Sequence, residues 1–228
     1  MPESLQNRLS RVHDRIVAAA GRAGIDAASV TLVAVSKMMP VSVIQTALDA
    51  GVKIFGENRV QEARDKIATL GGRATWHLVG HLQTNKAKIA VQLFEVIHSL
   101  DSLKLAEALD RSGQQLGKTV RCLLEVNLGG EESKTGTSEE AVRPLLEAAM
   151  QLTHLRIEGL MAIPPFLPDP EQVRPFFRRL RGLRDKLAQE GFGLSQLSMG
   201  MTHDFEVAIE EGATMVRIGT AIFGPRPT

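Results

Sequence analysis

Thr31-Leu32-Val33-Ala34-Val35-Ser36-Lys37 is short, β-branched and apolar, and it stops on a lysine. That is the pattern of a strand buried on both faces, as found in parallel sheets covered by helices. Working outward, similar runs predict strands at 31–36, 52–55, 75–79, 95–98, 120–126, 155–161, 196–199 and 214–218. Helical periodicity fills the gaps at 41–50, 59–69, 85–93, 102–116, 138–151, 172–189 and 203–211. An amphipathic helix precedes the first strand, with Leu5, Leu9, Val12 and Ile16 near one face.

Helix boundaries carry their own signals. Asp101 reads as one N-cap, and Thr137 with Glu140 as a capping box. Asp169-Pro170 opens the helix at 172–189, whose start Pro175 can move by a turn. Gly51, Gly117, Gly191 and Gly212 stand where helices stop. Eight strands alternating with helices predict an α/β fold, and the count favours a closed TIM (β/α)8 barrel over an open sheet. No outer helix is predicted after the eighth strand, so the N-terminal helix is expected to cover that gap. No linker or repeat divides the chain, giving one domain over residues 1–228.

Composition excludes several classes. The net charge of +1 argues against a nucleic-acid binder. Cys122 is the only cysteine, so no intramolecular disulfide forms, and its apolar neighbours make it a buried thiol. The six histidines are scattered, with no metal-ligand spacing. No run approaches the roughly 18 apolar residues of a membrane span. The reading is a cytoplasmic protein without a membrane partner, and no exposed apolar stripe demands anything beyond a monomer.

In a barrel, chemistry gathers where strands end. Those ends carry Ser36-Lys37, Gly56-Glu57-Asn58-Arg59, His77 to His81, His98 to Asp101, Glu125 to Asn127, Met161 to Pro165, Ser198 to Thr202 and Arg217 to Thr220. Lys37 is either a desolvated amine nucleophile or a lysine that has reached solvent. Ser198, Gly200 and Thr202, beside Gly219 and Thr220, form either a phosphate cup or ordinary turn chemistry. Arg217 inside the last strand needs a partner. It either pairs with a carboxylate such as Glu57 or faces a ligand. An amine, a phosphate cup and an inward arginine on one rim match pyridoxal 5′-phosphate.

The sequence also resembles a known family. Val33 to Lys37, Phe55 to Asn58, Val60-Gln61-Glu62, Trp76-His77, Gly80 and Leu82-Gln83 match it in order. So do Asn85-Lys86, Ser133 to Gly136, Gly159 to Pro164, Ser198 to Met201, Val216 to Thr220 and Ile222 to Gly224. These blocks are similar to the pyridoxal phosphate homeostasis protein family, single-domain relatives of the alanine racemase barrel. The resemblance implies that Lys37 forms a Schiff base with the cofactor. It places the phosphate by Ser198, Gly200, Gly219 and Thr220, Arg217 at the ring nitrogen and Asn58 near the ring. Lys134 is implied as a second functional lysine. Family members are implicated in storing, buffering and delivering the cofactor to apo-enzymes, with effects on amino-acid and keto-acid balance. Arg59 stands where the family often has tyrosine, and Thr202 where serine is common.

The rival reading is a racemase or related enzyme. Two-base racemisation needs a second acid–base group. The chain has no tyrosine. Lys86 or a histidine is not singled out for the task, so no catalytic residue is expected and the reading is a carrier.

Overall fold

The computed structural model describes residues 3–129 and 135–225. Lys134 lies outside the described residues. Eight parallel strands close into a barrel in chain order, β1 (Thr31–Val35), β2 (Ile54–Glu57), β3 (Thr75–Leu78), β4 (Val96–Leu100), β5 (Val120–Glu125), β6 (Leu155–Met161), β7 (Gln196–Ser198) and β8 (Met215–Ile218). Closure comes from β1 against β8, with Val33 level with Arg217. The outer elements are α1 (Leu5–Ala23), α2 (Val41–Asp49), α3 (Val60–Leu70), α4 (Ala87–Leu93), α5 (Leu103–Leu116), α6 (Glu139–Ala149), α7 (Arg174–Gln189), α8 (Phe205–Glu210) and α9 (Thr220–Phe223). Among the described residues no helix is long and apolar enough to cross a membrane.

The N-terminal helix does what its apolar stripe predicts. Ser4 caps it, its Oγ accepting from the Asn7 N–H at 3.2 Å. Leu5, Leu9, Val12 and Ile16 are buried where α1 packs on α8 and α9. Each such side chain contributes roughly 1.5–3 kcal/mol of burial. Arg15 sits 4.4 Å over the Phe205 ring and pairs with Glu206 at 2.7 Å. Arg8 Nε donates to the Ile222 carbonyl at 2.7 Å. The place of a full eighth outer helix is thus shared between the one-turn α9 and α1.

Several boundaries differ from the sequence reading, and three of them have a plain cause. β2 starts at Ile54, not 52, because the Val52 N–H closes the end of α2 on the Ala47 carbonyl at 3.0 Å. Ser102 caps α5 in place of Asp101, accepting from the Leu105 N–H. Thr137 is not the cap of α6. Its backbone bridges to β5, with its N–H on the Glu125 carbonyl at 2.8 Å, and Ser138 takes the cap position. Pro170–Val173 forms a 3-10 turn, so α7 begins at Arg174, as Pro175 allows.

Candidate functional site

At the carboxyl ends of the strands lies a cavity of about 490 Å³. Lys37, Asn58, Thr202, Arg217, Gly219 and Thr220 line it together. The remaining wall is largely apolar, from Val35, Met39, Val79, Ile163, Phe166 and Met201. A cavity of this size with a few convergent polar groups is the usual form of a small-molecule site.

Lys37 is half-buried and sits two residues beyond β1. It occupies the second position of a turn closed by the Met39 N–H on the Ser36 carbonyl at 3.0 Å. The third position is Met38, with φ of 63°, a left-handed conformation that glycine normally supplies. Such a residue costs about 1–3 kcal/mol and persists where its surroundings hold it. They do so here. Lys66 Nζ is buried and donates to the Ser36 carbonyl at 2.7 Å, Glu57 Oε1 at 2.8 Å and Glu62 Oε1 at 2.6 Å. The same Glu62 oxygen accepts from the Met38 N–H at 2.5 Å. Ser36 Oγ donates to Glu57 Oε1 at 2.6 Å. Burial pushes the Glu57 carboxyl above its usual range despite Lys66 and Ser36. For Glu62, burial pushes upward, but Lys66 and the Met38 N–H win and hold it below the usual range.

Asn58 is placed through Gly80. A Cβ at residue 80 would stand 2.5 Å from the Asn58 carbonyl oxygen and 2.8 Å from its Cα. Only glycine lets the loop after β3 come this close behind Asn58. Arg59 is exposed at the head of α3 and does not line the cavity; its charge acts on Glu62.

Arg217 does not pair with Glu57, whose partners are Ser36 and Lys66. It is buried, and its guanidinium donates to the Ser198 carbonyl at 2.7 Å, Ser198 Oγ at 2.6 Å and the Ala162 carbonyl at 2.8 Å. Burial pulls its pKa down to about 10, against an upward pull from Glu125 and Asp204. Ser198 is fully buried and is absent from the cavity wall. Its hydroxyl also meets His98 Nδ1 at 2.9 Å, and His98 Nε2 meets His77 Nδ1 at 2.9 Å. These residues come from β8, β7, β4 and β3, so the chain of bonds crosses the barrel interior. Ser198 therefore supports Arg217 rather than offering its hydroxyl to the cavity.

Gly200 also lies behind the wall. With φ of 90°, it turns the chain into α8, and a Cβ there would be 2.5 Å from that of Ala208. Thr202 does reach the cavity, and its Oγ1 accepts from the Ala221 N–H at 3.3 Å, joining the loops after β7 and β8. At the mouth, Phe166 is 76% exposed and stacks on His203 with ring centroids 5.0 Å apart. His203 Nε2 donates to the Leu167 carbonyl at 3.0 Å. Lys66, His77, His98, Phe166 and His203 were not assigned to the site by sequence. The usable signals were a lysine four residues after Glu62 and imidazoles in strands that otherwise read as apolar.

Residues 9–227 match the model of the alanine racemase N-terminal domain family. The pyridoxal phosphate homeostasis protein of Aquifex aeolicus is 48% identical over 221 residues, covering 96% of this chain and 97% of the relative. The protein of that name in Escherichia coli K12 is 40% identical over 228 residues, covering 97% of each. The chain belongs to the pyridoxal phosphate homeostasis protein family. Among solved structures, PipY of Synechococcus elongatus PCC7942 with PLP bound has a TM-score of 0.85 and 39% identity, covering 97% of this chain and all of that one. An alanine racemase from Clostridium difficile 630 shares the fold, with a TM-score of 0.75 at 16% identity over 57% of its own chain.

Proposed function

We propose that this protein binds pyridoxal 5′-phosphate in the cavity and serves to store, buffer and deliver it inside the cell. The observation that carries the reading is the meeting of three chemistries in one cavity: the Lys37 amine, the buried Arg217 guanidinium, and the small polar pole of Thr202, Gly219 and Thr220. The cofactor supplies an aldehyde, a phosphate and a pyridine ring. Lys37 holds the aldehyde covalently, and the polar pole receives the phosphate. Arg217 faces the ring nitrogen and, as a permanent donor, leaves it unprotonated. Asn58 borders the ring and the apolar wall excludes water from its faces.

A carrier fits better than a racemase. Among the described residues lining the cavity His203 supplies the one imidazole, and its Nε2–H is already committed to Leu167. No tyrosine exists in the chain to act as a second base. We infer a monomer that hands the cofactor to apo-enzymes.

Borohydride reduction of the loaded protein followed by peptide mapping should place the label on Lys37, and Lys37→Ala should lose the label while melting like the parent. A label on another lysine refutes the assignment. Handover is tested by mixing loaded protein with an apo-enzyme and a trap for free cofactor. Activation that survives the trap supports direct delivery, and activation that vanishes leaves only buffering.

A further inference from the structure

The turn that carries Lys37 is held from behind by a cluster that does not line the cavity. We propose that Lys66 and Glu62 form a backbone clamp that sets the reactivity of Lys37, with both acting as positioning residues. The inference rests on Lys37 being the reactive amine of the proposed function.

The geometry is specific to the residues on either side of Lys37. An ammonium has three donors, and each one of Lys66 has an acceptor, the Ser36 carbonyl, Glu57 and Glu62. The Ser36 carbonyl precedes Lys37 in the chain. The Met38 N–H, which follows it, is held by the Glu62 oxygen that Lys66 also binds. One ammonium thus grips the chain before the reactive lysine directly and the chain after it through a carboxylate. Met38 is exposed and has left-handed φ. Nothing in its own side chain favours that conformation; it is held by the turn bond from the Met39 N–H to the Ser36 carbonyl and by the bond from its own N–H to Glu62. A scaffold role alone would not require both flanks of a single residue to be tied to one buried cation.

Glu62 is the better handle, because its side chain is partly exposed and its removal leaves the buried Lys66–Glu57 pair intact. The probe is trace acetic anhydride applied to the cofactor-free full chain across a pH series. Lys37 acetylation is read by mass spectrometry against exposed Lys53 and Lys104 in the same molecules. Glu62→Ala should change the relative Lys37 rate by at least about threefold, the low end of the net worth of one hydrogen bond. Glu62→Gln keeps an acceptor and should return the rate toward the parent. Lys66→Met should act in the same direction as Glu62→Ala and more strongly.

A Glu62→Ala protein that melts like the parent, with Lys37 labelling at the parental rate, overturns the clamp. So does a change that Glu62→Gln fails to reverse. If the parent does not take up pyridoxal phosphate, the proposed cofactor falls, while the labelling still decides the clamp.

Discussion

His98 Nδ1 and Ser198 Oγ meet at 2.9 Å across the barrel, from strands that are not neighbours in the sheet. That contact assigns the hydroxyl of Ser198 to the support of Arg217. Ser198→Ala should therefore lower apo-protein stability by about 1–3 kcal/mol, the cost of leaving buried polar partners unsatisfied. Any loss of phosphate affinity should be small beside that of Thr202→Ala. Urea unfolding of the apo-protein and inorganic phosphate competition separate the two effects.

The same chain of bonds makes a pH prediction. Burial pulls His77 down to about 4 and His98 well below its ordinary value, His98 also being repelled by His77 and Arg217. The unfolded chain takes up these protons first, near pH 6.5. Their stabilising contribution is full above about pH 6.5 and is lost as pH falls toward 4, at up to about 1.4 kcal/mol per pH unit for each ring. Glu57, Glu125 and Asp204, all raised by burial, work in the opposite sense. The comparison that isolates the histidines is His98→Leu against the parent. The variant should show a shallower fall in unfolding free energy between about pH 6 and pH 4.5.

Gly80→Ala should displace the loop behind Asn58. The added methyl would overlap the Asn58 backbone, which cannot rotate away as a side chain can. A stability loss of about 1–3 kcal/mol is expected from overpacking, with weaker cofactor binding read by equilibrium dialysis.

Deleting residues 1–24 should expose the α8 and α9 surface now covered by Leu5, Leu9, Val12 and Ile16. The truncated protein should bind a hydrophobic dye in the cold and melt well below the parent. Unchanged melting would mean that α1 is not part of the barrel wall.

Cys122 should resist thiol reagents in the folded protein. It is fully buried, and burial pushes its thiol far above the usual range. Modification should appear only with denaturant, at the rate of unfolding.

The barrel was legible because eight β-branched runs alternate with helical periodicity, and each run reports its own burial. The cavity was legible at Lys37, Asn58, Thr202, Arg217, Gly219 and Thr220, because polar residues at strand ends share one rim. What stayed hidden depends on distant pairings. Ser198 looks the same in sequence whether its hydroxyl faces a ligand or His98. Lys66 reads as an ordinary helical lysine until α3 is laid against the turn after β1. Glu57 was offered to Arg217 on charge alone, and only the register of β2 and α3 hands it to Lys66.

Barrel closure has a consequence for synthesis. β1 pairs with β2 on one side and with β8 on the other. On the ribosome, β1 is among the first segments made, and its second edge waits until nearly the whole chain has emerged. An apolar strand with an open edge is an invitation to wrong pairing. The apolar face of α1, made before β1, likewise waits for its partners, because it packs on α8 and α9 at the far end of the chain. Pairing of β8 with β1 is thus the last step the barrel can make, and no earlier strand can stand in for it.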